Sequence, residues 1–198
     1  MAYEHAVVLT GGIATGKSSA GALLKLFGFR IIDADAIAHE ILDREVARIA
    51  ERFGEEMLAE GRVDRRKLGE RIFADPEERK ALEAIVHPPI REEILRRSEE
   101  QESLGKPYLI DIPLFFETGS DYPITRSVVV YAPRPLQLAR LMKRDKLDEA
   151  EALQRLDAQL DIEEKRRRAT WVIDNSGDLA QLSAECERVK EEILRAFS

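Results

Sequence analysis

At 198 residues the chain is long enough for one substantial core, with room for an inserted lobe or two. Apolar residues at 44% and charged residues at 35% fit an ordinary globular protein, with no apolar run of membrane-spanning length and no signal peptide in the opening MAYEHAVVLT. A net charge of −7 argues against wholesale binding of nucleic acid, and the one cysteine, Cys186, excludes an internal disulfide framework, so cytoplasm is the expected compartment.

Five short apolar stretches read as strands: Ala6–Thr10, Phe29–Ile32, Tyr108–Ile112, Ser127–Tyr131 and Trp171–Asp174. Most are continuously apolar rather than alternating, which suits parallel strands buried on both faces. Helical periodicity fills the gaps. Lys17–Phe27 places Ala20, Leu23, Leu24 and Phe27 on one face, and Asp178–Ala196 reads as the last helix. The stretch after Asp33 is helix-rich and broken at FGEEMLAEGRVDRR and at His87-Pro88-Pro89, where the prolines are expected to end one helix and start another. A second helical excursion follows Pro133. The expected organisation is an α/β core from 1–32, 106–132 and 170–198, a helical domain over 33–105 and a smaller lobe over 133–169, both insertions lying over one end of the sheet.

Between the first strand and the first helix, Gly11-x-x-x-x-Gly16-Lys17-Ser18 fits G-x-x-x-x-G-K-[ST] without a mismatch. Glycines let the backbone bend so that successive N–H groups converge on one anion, and the helix start adds its unpaired N–H groups. Lys17 can reach the outer phosphates of a nucleotide, and the Ser18 hydroxyl can ligate the magnesium that travels with them. A GTPase would also carry N-K-x-D, which is missing, and a motor would need more chain. A small kinase remains.

A kinase acting on a hydroxyl needs a group to orient or deprotonate it. Asp33 and Asp35, in IIDADAIAHEIL, follow the second strand at the sheet edge where α/β proteins place ligands. Asp33 is the expected base and a candidate to hold metal-bound water; Asp35 suits either substrate binding or a helix cap. Asp111 ends a strand as a Walker B aspartate does, placed to hold magnesium through water. His39 reads as an ordinary helix residue, Cys186 and Trp171 as packing, and the basic run Lys165–Arg168 as a solvated helix face.

The run LTGGIATGKSSAGALLKLFGFRIIDADAIAHEIL resembles the start of dephospho-coenzyme A kinases. Four further stretches resemble the family in its own order: GRVDRRKLGERIFADPEERKALEAIVHPPI, LIDIPLFFE, PLQLARLMKRD and RLDAQLDIEEKRRRATWVIDNSG. Ala14-Thr15 stands where the family often has Gly-Ser, and Ser19 where it has Thr.

The resemblance implies a P-loop fold, a five-stranded parallel sheet flanked by helices, with an acceptor domain and a lid as insertions. It implies transfer of the ATP γ-phosphoryl group to the ribose 3′-hydroxyl of dephospho-coenzyme A, the last step of coenzyme A synthesis. On matching positions, Gly12, Ile13, Ala14, Thr15, Gly16, Lys17, Ser18 and Ser19 would hold the ATP phosphates, and Asp33 would act on the 3′-hydroxyl. His87, Pro113, Leu114 and Phe116 would contact the acceptor, with Arg140 or Arg144 coming from the lid onto the transferring phosphate. The partners expected are a small-molecule substrate, no nucleic acid and no membrane, the enzyme being a monomer or small homo-oligomer. A nucleoside monophosphate kinase is the runner-up, though its acceptor is already a phosphate and needs no base, and a nucleotide-binding switch is the reading from another class.

Overall fold

The first strand, β1 (Ala6–Gly11), is apolar on both faces and wholly buried, which places it at the centre of a sheet. It runs through a loop into α1 (Lys17–Leu26). After β2 (Ile31–Asp33) come α2 (Ala34–Arg44), α3 (Val46–Phe53), a 3₁₀ turn (Glu55–Met57), β3 (Leu58–Ala59), β4 (Arg62–Val63), α4 (Arg65–Ala74) and α5 (Pro76–Glu102). The chain closes with β5 (Tyr108–Asp111), β6 (Ser127–Tyr131), α6 (Arg134–Asp145), α7 (Glu149–Asp157), α8 (Ile162–Arg168), β7 (Trp171–Asp174) and α9 (Leu179–Ala196). This computed structural model describes residues 3–117 and 122–198.

The strands form a five-stranded sheet in the order β2-β5-β1-β6-β7, parallel where β1 pairs with β5 and β6 and where β6 pairs with β7. The strand order reverses direction at β1, and the carboxyl end of such a switch point is where an α/β sheet opens a crevice. One apolar cluster joins β1, β6 and β7 to α1 and α9 through Leu9, Leu24, Val130, Ile173 and Val189. Cys186 is part of that packing, and burial pushes its thiol up to about 11.

By contact the chain divides into two compact units, Met1–Ile32 with Ser98–Ser198, and Asp33–Arg97. Residues 133–169 belong to the first. The second is helical and buries Ile37, Ile49, Phe53 and Ile94 completely or nearly so. The stretch that breaks its helices contains a small antiparallel hairpin, β3 with β4, turning through Glu60 (φ 52) and Gly61 (φ 76). Two consecutive left-handed residues match the right-handed twist of the flanking strands.

Several expectations need correction. The second strand begins at Ile31 rather than Phe29, because Phe29 is still tied to the end of α1: its N–H donates to the Leu24 carbonyl after Gly28 turns at φ 99. The prolines at 88 and 89 lie inside the unbroken α5. Two adjacent prolines remove only two neighbouring backbone donors, so a helix of 27 residues continues across them with its other bonds in place. Trp171 does pack against the core cluster as expected, but it is only partly buried rather than enclosed, because β7 is an edge strand in which Ile173 alone is fully buried.

Candidate active site

The loop from Gly11 to Gly16 turns tightly. Ala14 (φ 59) and Gly16 (φ 88) are left-handed, and Thr15 closes the turn by donating from both its N–H and its hydroxyl to the Gly12 carbonyl, at 3.2 and 2.9 Å. A Cβ at Gly11, Gly12 or Gly16 would meet other atoms at 2.8, 2.6 and 2.1 Å, so the turn has no room for side chains there. α1 starts at Lys17 with no side-chain cap and no acidic residue in its first turn. A helix stabilised for its own sake would carry the opposite charge there; a cation at the positive end suits an anion held between them. Ser18 and Ser19 are exposed on that first turn.

Lys17 Nζ lies 2.5 Å from Asp111 Oδ1 at the end of β5, the strand beside β1. Both side chains are mostly shielded from solvent. The turn after β5 is fixed in its turn by the Thr10 hydroxyl, which donates to the Pro113 carbonyl at 3.0 Å. Leu114 is exposed, while Phe116 packs against the cluster of Val129, Tyr131 and Ile162.

The outer side of the loop is held by donors from distant parts of the chain. Lys165 Nζ donates to the Gly11 carbonyl at 2.9 Å, Gln137 Nε2 to the Ile13 carbonyl at 2.7 Å, and Asn175 Nδ2 to the Thr15 carbonyl at 2.7 Å. The Ile13 N–H donates to Gln159 Oε1 at 2.8 Å. Lys165 is fully buried and also pairs with Glu117 Oε1 at 2.5 Å, an oxygen that accepts from the Leu160 N–H. This corrects the reading of Lys165–Arg168 as one solvated face. Arg166, Arg167 and Arg168 are exposed, but Lys165 is turned inward, where two acceptors offset its desolvation.

The two arginines of α6 differ. Arg140 Nη2 donates to the Asn175 carbonyl at 3.0 Å, next to the residue that holds Thr15, and its Nη1 is buried without an acceptor among the described residues. Arg144 forms a two-pronged pair with Asp145 at 2.7 and 3.1 Å, which raises its pKa above the usual arginine value.

The remaining candidates lie in the helical unit. Asp33 closes β2 and caps α2, its Oδ1 accepting from the Ala36 N–H at 2.9 Å. The cap is therefore Asp33, and Asp35 is an exposed residue of the first turn, so the capping alternative for Asp35 falls. His87 is half-buried within α5, and His39 is exposed on α2.

The structure thus gathers Gly11–Ser19, Lys17, Asp111 and, through Asn175, Arg140 around one loop, while Asp33, Asp35 and His87 are built on the second unit. Sequence reasoning missed Gln137, Gln159, Lys165 and Asn175. No spacing rule marks a residue that touches a loop more than a hundred positions away.

Comparison with known proteins gives the family. The family model described as dephospho-CoA kinase matches residues 5–181. The chain is 54% identical to a dephospho-CoA kinase of Sulfurimonas denitrificans over 98% of this chain and 96% of the relative, and 48% identical to one of Wolinella succinogenes over 98% and 97%. Among solved structures, the dephospho-CoA kinase of Campylobacter jejuni superposes with a TM-score of 0.78 at 38% identity, covering 98% of this chain and 99% of that one.

Proposed function

This chain belongs to the dephospho-CoA kinase family, and from that premise we propose how its own residues carry the family reaction, transfer of the ATP γ-phosphoryl group to the ribose 3′-hydroxyl of dephospho-coenzyme A. The observation that carries the reading is the loop itself, a glycine turn with no room for a Cβ that leads into an uncapped helix bearing Lys17. Residues Gly12 to Ser19 hold the ATP phosphates, through those loop and helix N–H groups not already spent on other acceptors as those of Ile13 and Thr15 are. Lys17 exchanges Asp111 for the β- and γ-phosphoryl oxygens, where it offsets negative charge.

The donor set also fits magnesium: an exposed serine hydroxyl on the first turn of α1 and a carboxylate at the end of the adjacent strand. Ser18 would ligate the ion directly, with Asp111 and Asp33 holding its water. When bound, the ion neutralises charge on the phosphates.

Asp33 takes the proton of the 3′-hydroxyl as the oxygen attacks the γ-phosphorus, the new O–P bond forms, and the bond to the β–γ bridging oxygen breaks to release ADP. The cap bond to Ala36 fixes one carboxylate oxygen and leaves the other to act. Asp35, His87, Pro113, Leu114 and Phe116 contact the acceptor. Arg140 meets the transferring phosphoryl group rather than Arg144, whose guanidinium is already committed to Asp145. The 33–105 segment is the acceptor domain and 133–169 the lid. The enzyme works in the cytoplasm as a monomer or small homo-oligomer on a small molecule, a setting that the net charge of −7 suits better than a nucleic-acid partner.

Asp33→Asn tests the assignment. It should leave ADP affinity nearly intact and lower turnover at least about a hundredfold, the usual effect of losing a general base. Near-normal turnover in that variant would remove Asp33 from the chemistry.

A further inference from the structure

A phosphate cradle works only if its peptide N–H groups face the anion and its carbonyl oxygens face away. In a trans peptide the carbonyl of one residue and the N–H of the next point in opposite directions. Holding a carbonyl on the outside therefore aims the following N–H inward.

In this loop the alternate carbonyls of residues 11, 13 and 15 are each held from outside. Their donors are Lys165, Gln137 and Asn175 in turn. The N–H groups so aimed belong to Gly12, Ala14 and Gly16, and none of them has an acceptor among the described residues. Ile13, between the first two, instead spends its N–H on Gln159. All three donor side chains belong to buried residues, with Lys165 at 0% and Gln137 at 3% exposure, so water does not compete for these bonds.

We propose that Lys165, Gln137 and Asn175 are positioning residues of the reaction, a three-point clamp on the back of the loop that presets the N–H groups of Gly12, Ala14 and Gly16 toward the phosphates of ATP. The clamp acts through the peptides and touches no substrate. It rests on the reading that this loop holds the phosphates. Its worth lies in preorganisation: with the donors in place no carbonyl has to turn away when the anion arrives. Without one of them, a peptide is free to rotate and present an oxygen to a phosphate.

Gln137 is the point to test, because Gln137→Leu removes the carboxamide and with it the donor to Ile13, while Gln137→Glu keeps the shape and replaces that donor by an acceptor. Wild type and both variants are compared by circular dichroism and thermal unfolding, by titration with ADP and magnesium, and by KM for each substrate. The expected result is an ADP affinity weaker by about tenfold in Gln137→Leu and at least as weak in Gln137→Glu, the range for one lost neutral hydrogen bond in a buried site. KM for ATP should rise in parallel while KM for dephospho-coenzyme A stays within about twofold, a split that general loosening of the fold does not produce. Asn175→Asp, measured beside them, removes the donor to Thr15 and decides the question if the Gln137 variants do not fold. Lys17→Ala is the control. Unchanged ADP affinity in the folded clamp variants overturns the proposal if Lys17→Ala loses ADP, and overturns the underlying phosphate-site reading if Lys17→Ala keeps it.

Discussion

Gly16 carries two separate constraints. Its φ of 88 is one that side chains rarely adopt, and a Cβ there would sit 2.1 Å from Asn175 Nδ2. Gly28 has a similar φ of 99, yet an added Cβ meets nothing within 4 Å. The pair separates backbone cost from crowding. Gly28→Ala should lower stability by about 1–2 kcal/mol, the cost of a left-handed L-residue, and leave ADP binding unchanged. Gly16→Ala should add displacement of Asn175 from Thr15, so that ADP binding is lost as well; denaturant unfolding with an ADP titration reads both. Equal behaviour of the two variants would mean that the Asn175 contact contributes nothing to the cradle. The glycines and Lys17 could be read from spacing alone, because backbone geometry near a phosphate restricts the residue type. Lys165 could not. Its neighbours Arg166, Arg167 and Arg168 look the same on paper, and only the inward turn of α8 toward Gly11 and Glu117 tells them apart.

The buried strands are the most legible elements. Ser127–Tyr131 and Trp171–Asp174 appear with the boundaries that their apolar runs suggest, and β1 and β5 are within a residue at either end. Strands enclosed on both faces, as β1, β5 and β6 are, have few polar residues to blur them, and the edge strand β7 is marked by its short apolar run alone. The long helix α5 is not legible in the same way, because proline's local cost hides the turns on either side that carry the helix through it. Beyond the prolines, Glu93 accepts from Arg96 at 3.0 and 2.8 Å and from Arg97 at 2.7 Å, and Arg97 reaches on to Glu40 of α2 at 2.5 Å. The bonds to Arg96 and then Arg97 bring the Glu93 carboxyl down to about 2, against an ordinary value of 4.5. A pKa lowered by folding gives stability that is present above the unfolded value and lost as pH falls toward the folded one. Glu93→Gln should therefore cost about 2 kcal/mol at pH 7, and its gap from wild type should narrow as pH falls below about 4.5. Urea unfolding of both proteins from pH 7 to pH 3 measures this, and a gap that stays constant would show that Glu93 contributes through packing and not through its charge.

For the whole chain, relatives of the same family cover nearly its full length, so the activity belongs to the complete sequence rather than to its glycine loop alone. The loop by itself says only that phosphate is bound. The acceptor had to come from five stretches in family order, and the family match over residues 5–181 replaces the runner-up readings of a monophosphate kinase and a nucleotide switch. No helix among the described residues is long and apolar enough to cross a membrane. The most direct test of the account is a steady-state assay of ADP formation from ATP and magnesium. Dephospho-coenzyme A, AMP, CMP and UMP are each offered as acceptor, beside a blank without one. The account predicts ADP with dephospho-coenzyme A alone and a product bearing its new phosphate at the ribose 3′ position. Turnover with a monophosphate, or phosphate placed on another hydroxyl, would contradict it.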